Sequence, residues 1–443
     1  MPAVVIIGGQ WGDEGKGRTV DFHSQYCSVI ARYSAGNNAG HTIMNDQGKF
    51  ALHVIPAGIF RADKICVIGH GVVIDPGVVL DEIDGLEERG VSTKNLRISR
   101  NANVIMPWHP LIDRADENLR GELAIGTTGT GTGPAFHDKV ARTGIRVADL
   151  LDRERFSERL KPVLDYKNRI LTGLYGLEPL VYADVFETYI TYGERLRSYA
   201  DDTAAIVQQA HSEGKMILLE GAQGSLLDLD TGTYPYVTSS VPASIAAGGP
   251  AGVGLGPTAV QKVIGVYKAY QTRVGNGPMP TEIFGQEAED IRQGGGGVAG
   301  TGEFGTTTGR ARRIGWFDGV LAKHTADING ITSVALTRLD TLSHADEVKI
   351  CTGYEIAGIS TETMPATLWG MEQAKPVYET LDGWGEDVSD VRRFSDLPKN
   401  ARSFVKRIES LIGVTIDMIS VGPERDQAIV TRDIFGTVIE AHQ

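Results

Sequence analysis

Cysteine is almost missing. Cys27, Cys66 and Cys351 are the only three in 443 residues, and they stand far apart. No CxxC and no Cys/His metal spacing occurs, so neither a disulfide framework nor a structural zinc site is expected. Buried reduced thiols in a cytoplasmic protein are expected instead. No lysine- or arginine-rich block occurs, and the net charge is −13. That balance argues against nucleic acid, whose phosphates need a basic face. It leaves an anionic small ligand open, because a local group of cations can oppose the global sign. A long apolar run is also lacking, as is a basic leader before the first apolar segment, so no membrane contact and no signal peptide are expected. With no internal repeat and no clear linker, residues 1–443 are expected to form a single domain with insertions.

Glycine is what the chain has in excess, with 55 residues gathered in a few clusters. Clusters of that kind point to ligand-facing loops. Between them lie short β-branched runs: Ala3–Ile7, Ser28–Tyr33, Cys66–Ile68, Met216–Leu219, Val263–Tyr267, Ser333–Thr337, Val348–Cys351 and Ile416–Ser420. Amphipathic stretches such as Val147–Leu174 and Asp184–Ser212 predict helices. The alternation predicts an α/β fold: a large, mostly parallel central sheet with helices on both faces, like a P-loop NTPase, with inserted helical and loop excursions. Ligands in such folds sit beyond the C-terminal ends of the strands. The run Gly294–Gly302 predicts a mobile loop.

The first glycine cluster, Gly8–Gly17 (GGQWGDEGKG), follows directly on an apolar strand. That frame suits a phosphate cradle, with Lys16 as the cation. It is not the common P-loop G-x-x-x-x-G-K-[ST]: Gln10 stands where the first glycine belongs, and Gly17 where the Mg²⁺-binding hydroxyl belongs. Instead the loop holds Asp13 and Glu14. A carboxylate beside a triphosphate is repulsive unless it binds a metal or takes a proton, so chemistry at the phosphate is expected as well as binding. The plainer reading, a glycine-rich surface turn, fits poorly with the strand ahead of it and with Trp11.

Four more loops carry chemical side chains. Gly36–Thr42 (GNNAGHT) joins two amides, His41 and a hydroxyl. Ile125–Pro134 (IGTTGTGTGP) offers hydroxyls and free N–H groups for a phosphate. Glu220–Ser240 begins with EGAQG, and the amide of Gln223 can read a heterocycle edge. Gly305–Arg313 (GTTTGRARR) sets three arginines in an acidic chain, which suits an anion clamp.

These segments, in this order, resemble adenylosuccinate synthetases. The runs that carry the resemblance are QWGDEGKG, NNAGHT, LHVIPAGIF, IGTT, EGAQG, GTYPYVTSS, KAYQTRVGNGPMPTE, EFGTTTGRARRIGWFD and SVGPERD, spanning Gln10 to Asp426. The resemblance implies ligation of IMP and L-aspartate at the expense of GTP, through a 6-phosphoryl-IMP intermediate. It implies Asp13 as base and Mg²⁺ ligand, Gly40 as second protein ligand of one Mg²⁺ per subunit, His41 as acid, and Lys16 on the phosphates. Asn38, Thr128, Arg142, Gln223, Thr238 and Arg310 would contact IMP, with Arg142 reaching the neighbouring subunit of a homodimer. Thr306, Thr307, Thr308, Gly309, Arg310 and Arg312 would bind aspartate. Gly12, Glu14, Gly15, Lys16, Gly17, Thr42, Arg312, Arg338, Leu339, Asp340, Ser420, Val421 and Gly422 would bind GTP, with Asp340 accepting from the guanine N1–H and amine.

Four positions depart from the family pattern. Val241 stands for asparagine, Thr130 for a basic residue, Thr143 for arginine and Arg338 for lysine. Two other readings remain open: a relative that uses dGMP with ATP, and a guanine-nucleotide switch without ligase activity. Retention of Asp13 and Asp340 argues against the first. The arginine loop, Gln223 and Thr238 would be idle in the second.

Overall fold

The computed structural model describes residues 3–45, 47–294, 302–304, 309–432 and 434–435. Ten strands form the central sheet. In chain order they are β1 (Ala3–Gly8), β2 (Val29–Arg32), β3 (Ile65–Ile68), β4 (Leu96–Ser99), β5 (Ala200–Asp201), β6 (Ile217–Glu220), β7 (Val260–Lys268), β8 (Ser333–Thr337), β9 (Ile416–Ser420) and β10 (Ala428–Val430). Across the sheet the order is β10-β9-β8-β7-β1-β6-β2-β3-β4-β5. Every neighbouring pair is parallel except the edge pair β9–β10.

The expected α/β architecture is therefore present. Period-two alternation sends Val4 and Ile6 of β1 into one core and Ala3, Val5 and Ile7 into the other. Each fully buried valine or isoleucine among them contributes roughly 1.5–3 kcal/mol of transfer energy. With both faces covered, β1 reads as an unbroken apolar run, as a parallel strand should.

Three expectations need correction. The segment Val147–Leu174 is not one helix: helices at Val147–Leu150 and Arg153–Gly173 are separated at Asp152, whose carboxylate caps the second by accepting from the Glu154 and Arg155 N–H groups at 3.1 Å. Asp184–Ser212 likewise divides into Tyr182–Leu196 and Thr203–Ser212, with β5 between them and Asp202 as the new cap. Val348–Cys351 is indeed in a strand, Glu347–Ile356, but one that pairs antiparallel with Ile359–Thr361 and Lys375–Asp382, outside the central sheet. The Gly294–Gly302 expectation falls mostly on residues 295–301, outside the described residues.

What matters for the site is where the strands end. The C-terminal ends of β1, β2, β6, β7, β8 and β9 lie side by side in the sheet. They deliver, respectively, the Gly8–Gly15 loop, the Gly36–His41 turn, the Gly221–Gly224 turn, Lys268, Arg338–Asp340 and Ser420–Gly422. A hairpin, His41–Asn45 with Gly48–Leu52, stands over this edge.

Candidate active site

A cavity of about 1400 Å³ opens along that edge. Single-ligand pockets usually span about 300–1,000 Å³, so this one has room for more than one ligand. Its wall includes Gly12, Asp13, Glu14, Gly15, Lys16, Gly17, Asn38, Gly40, His41, Thr42, Thr128, Gln223, Thr238, Arg312, Arg338, Ser420 and Gly422. Most of the expected site residues, from segments far apart in sequence, thus share one wall.

The loop after β1 is built around Glu14. Its carboxylate is fully buried and accepts from the backbone N–H of Gln10 at 3.0 Å and of Gly12 at 2.9 Å. Gly8 must be glycine, since a Cβ there would lie 2.3 Å from Glu14 Oε2. Lys16 Nζ donates to Glu14 Oε2 at 2.6 Å. The Glu14 side chain therefore shapes the loop from within. Helix α1 (Lys16–Ser24) starts after Gly15, which takes a left-handed φ of 94°. Its first-turn N–H groups have no carbonyl ahead of them in the helix, which favours an anion. The buried Trp11 rests under the Arg273 guanidinium, 5.1 Å from its ring.

Asp13 is left-handed too, at φ 60°, a conformation Asp tolerates better than most residues. Its side chain is 32% exposed, and Oδ2 accepts from Arg312 Nε at 2.9 Å. The other side of Arg312 is held by Glu303. Glu303, fully buried, also accepts from Lys268 at 2.8 Å and from the Tyr270 hydroxyl. Burial alone would raise the Glu303 carboxyl, but Lys268, Arg338 and Arg312 hold it far below the usual carboxylate range. Burial in turn lowers Lys268 to about 8, against the pull of Glu303.

His41 is fixed from behind. Its Nδ1 lies 2.7 Å from Glu220 Oε1, and both side chains are buried. Glu220 Oε2 accepts from the Ala57 N–H at 2.9 Å. With the carboxylate accepting, Nδ1 carries the proton and Nε2 is left for the cavity. Burial lowers His41, and the bond and charge of Glu220 offset this only in part. Burial raises Glu220, yet His41 and the neighbouring Arg32 bring it below its ordinary value. Gly17 lets this histidine pack on the first turn of α1, because a Cβ there would come 2.8 Å from His41 Cβ.

The two amides expected on IMP meet each other: Gln223 Nε2 donates to Asn38 Oδ1 at 3.2 Å. Gln223 is at φ 52°, and its Oε1 is buried without a hydrogen-bond partner. Thr128 and Thr238 bond to neighbouring hydroxyls, Thr130 at 3.0 Å and Ser240 at 3.2 Å.

Several expected residues lie off this wall. Leu339 and Val421 are fully buried behind it, holding the backbone of the Arg338 and Ser420 turns. Asp340 sits beside them, with Oδ1 buried and unpartnered. Burial raises its carboxyl, and Arg338 and Arg18 pull against that. Gly309 and Arg310 are exposed, and Thr306, Thr307 and Thr308 lie outside the described residues. The three-arginine clamp needs revising: Arg313 turns away to Glu282 at 2.7 Å and to the Gly277 carbonyl at 2.8 Å, leaving Arg312 as the arginine of this run in the cavity wall. Arg142 ends the helix Thr132–Ala141 in a left-handed turn (φ 66°), exposed and outside its own cavity. Glu220, Glu303 and Lys268 were not singled out from the sequence. A charged residue closing a buried apolar strand was the signal available for Glu220 and Lys268.

The comparisons with known proteins agree on one family. A sequence model of the adenylosuccinate synthetase family matches residues 5–429. The adenylosuccinate synthetase of Carboxydothermus hydrogenoformans is 50% identical over 435 residues, 98% of this chain and 100% of that protein. That of Exiguobacterium sp. is 48% identical over the same shares. Among solved structures, fully ligated adenylosuccinate synthetase from Plasmodium falciparum matches with a TM-score of 0.90 at 34% identity, over 98% of this chain and 100% of that one. A cyanophage S-2L succinoaminodeoxyadenylate synthetase, bound to dGMP and dATP, matches at a TM-score of 0.58 and 21% identity, covering 98% of this chain and 96% of its own, a likeness of fold alone.

Proposed function

The chain belongs to the adenylosuccinate synthetase family, ligases of purine biosynthesis that join IMP to L-aspartate, and we propose that it drives this joining with GTP in two steps within the one cavity. In the first, Asp13 takes the N1 proton of IMP and O6 attacks the γ-phosphate, giving 6-phosphoryl-IMP and GDP. In the second, the aspartate amine attacks C6 and phosphate leaves with the O6 atom. An enol-like oxygen is a poor leaving group until it is phosphorylated, so the enzyme's work is positioning and charge neutralisation.

The observation that carries the reading is the shared wall: a loop carboxylate, a carboxylate-backed imidazole and the cations Lys16, Arg312 and Arg338 around one cavity. His41, with Nε2 toward the cavity, would protonate or hydrogen-bond the oxygen that departs with GDP. Lys16 would share its charge between Glu14 and the terminal phosphates. Arg312 would exchange part of its hold on Asp13 for the aspartate carboxylate. Asp340 would read guanine through its N1–H and amine, a donor pair that adenine lacks.

Mg²⁺ fits the donors present. Among the described residues no group of three His, Cys, Asp or Glu side chains could hold a metal. An ion that takes one or two protein oxygens plus phosphate oxygens and water needs no such group. Asp13, one-third exposed, and Gly40 line the same cavity and would hold it. When bound, the ion would neutralise charge on the transferring phosphoryl group.

Two further points rest on the family and on local features. A homodimer in which Arg142 serves the neighbouring site is supported by its exposure outside its own cavity. A single domain is supported by two cores that share one sheet. No helix among the described residues is long and apolar enough to cross a membrane, and the three cysteines are free and buried, which agrees with a cytoplasmic setting.

The test is GTP consumption with IMP and aspartate supplied separately and together. Turnover should need both. Hydrolysis of GTP without IMP would favour a nucleotide switch, and turnover only with dGMP and ATP would favour the phage-type reaction.

A further inference from the structure

One side chain on α1 has no part in the chemistry so far, yet it reaches the cavity wall. Arg18 lies one turn into the helix whose N-terminus is assigned to the phosphates. Its guanidinium crosses to the loop after β9. Nε donates to the Glu424 carbonyl at 3.1 Å, and NH2 donates to that carbonyl at 2.6 Å and to the Gln427 carbonyl at 2.9 Å. NH1 donates to the Ser420 hydroxyl. All three nitrogens of one fork are thus engaged by a single loop. Ser420, Gly422 and Pro423 of that loop line the cavity, as does Arg338.

Chemistry and position together suggest a role. Loop carbonyls have no regular ladder partner, and a planar fork with five donors can satisfy several at once. A lysine at this position has one nitrogen and cannot hold two carbonyls and a hydroxyl in the same geometry. Asp21 on α1 also reaches this loop, bonding Arg425 at 2.7 Å, but it lies outside the cavity wall. Arg18 alone of the two borders the space where a base would lie. The charges around it are Asp340, Asp426 and Asp21, opposed by Arg392. Asp340 is the one with a buried, unpartnered carboxylate oxygen.

We propose that Arg18 is a positioning and specificity residue for the purine base of the nucleoside triphosphate: it fixes the Ser420–Gln427 loop against the phosphate-binding helix and places a cation beside Asp340. This deepens, and rests on, the reading of the cavity as a GTP-dependent ligase site. The triphosphate and the base would then be held at a set spacing by one side chain. Arg18 also favours the ionised form of Asp340, the form that accepts two N–H bonds.

The test compares wild type with Arg18→Ala and Arg18→Lys, using GTP, ITP and ATP as phosphoryl donors at saturating IMP and aspartate. ITP lacks the 2-amino group, so the ratio of kcat/KM for GTP to that for ITP measures how well Asp340 is used. Arg18→Ala should raise KM for GTP about tenfold or more, the scale of one lost charge-assisted contact. It should narrow the GTP/ITP ratio, while KM for IMP and for aspartate stays within about twofold. Arg18→Lys should recover the charge beside Asp340 but not the loop anchor, and fall between. Thermal unfolding of each variant separates loss of fold from loss of the pocket. If KM for GTP and the GTP/ITP ratio are unchanged in a folded Arg18→Ala, the proposal is wrong. It is also wrong if KM for all three substrates rises together. If wild type itself shows no GTP turnover with IMP and aspartate, the failure is that of the parent reading.

Discussion

Glu220→Gln is the sharpest perturbation the geometry offers. The substitution keeps the size and shape of the side chain, and one amide oxygen can still accept from the Ala57 N–H. What it removes is the charge behind His41, across a buried contact of 2.7 Å. Burial already lowers His41, and Glu220 is the group that works against that. Without the carboxylate the imidazolium loses its partner, and the pKa of His41 falls further. The acidic form of His41 predominates only below its pKa. The pH limb on which activity falls as pH rises through that pKa must therefore move to lower pH. Losing the orienting carboxylate of an acid–base histidine costs roughly 10²–10⁴-fold in kcat, or about 3–5 kcal/mol. Breaking one side of a buried pair costs about the same.

The assay is steady-state formation of adenylosuccinate against pH, with KM for GTP, IMP and aspartate measured separately. KM values should hardly move, because Glu220 lies behind His41 and not in the cavity wall. A double-mutant cycle with His41→Asn should show that the second change adds almost nothing. A kcat within threefold of wild type, in a variant with unchanged thermal stability, would refute the reasoning.

Other expectations follow from the same contacts. Asp13→Ala should end turnover, since it removes the proposed base and a metal ligand together; near-wild-type kcat would remove Asp13 from the mechanism. Arg312→Leu should raise KM for aspartate more than KM for IMP, and it frees Asp13 Oδ2 of its 2.9 Å partner; equal effects on both substrates would argue against the assignment. Arg142→Leu should raise KM for IMP and leave GTP binding intact, and mixing it with Asp13→Ala protein should restore part of the activity if sites are shared between subunits. Chelation of Mg²⁺ should abolish activity reversibly, with recovery on adding Mg²⁺ back. Buried Asp318, raised to about 6 by burial, caps the helix Gly319–Asn329 and accepts from the Tyr354 hydroxyl at 2.6 Å. Its folded form binds the proton more tightly than the unfolded one, so its contribution favours folding at low pH and is lost as pH rises through about 4 to 6. Asp318→Asn should flatten that part of the stability profile in denaturant titrations.

Much of this was legible in the sequence where one physical cause dominates. The apolar runs Ser333–Thr337 and Ile416–Ser420 coincide with their strands because both are fully buried. The glycine loops were found because only glycine permits contacts such as Gly8 against Glu14. The long helices look continuous in the sequence because amphipathic periodicity carries across the short breaks at 151–152 and 197–202. Asp152 and Asp202 were visible as possible caps, but an aspartate inside a polar helix face looks the same until the fold bends there. The partners of the site were hidden for another reason. Glu220 and Glu303 act through residues 179 and 9 positions away, His41 and Arg312, and only the sheet order brings β2 and β6 together. Glu14 shows the converse: its position in the loop suggested a nucleotide contact, while its side chain is spent on the loop itself.

In the proposed reaction one cavity phosphorylates IMP with GTP before the aspartate amine attacks C6. Positional isotope exchange tests it most directly. GTP labelled with ¹⁸O in the β,γ-bridge is incubated with enzyme, Mg²⁺ and IMP, and the label is followed by ³¹P NMR. Scrambling of the bridge oxygen into the β-nonbridging positions, dependent on IMP and lost in Asp13→Ala, is the predicted result. Turnover to adenylosuccinate in the complete mixture without any such scrambling, under conditions where GDP can rotate in the site, would contradict it.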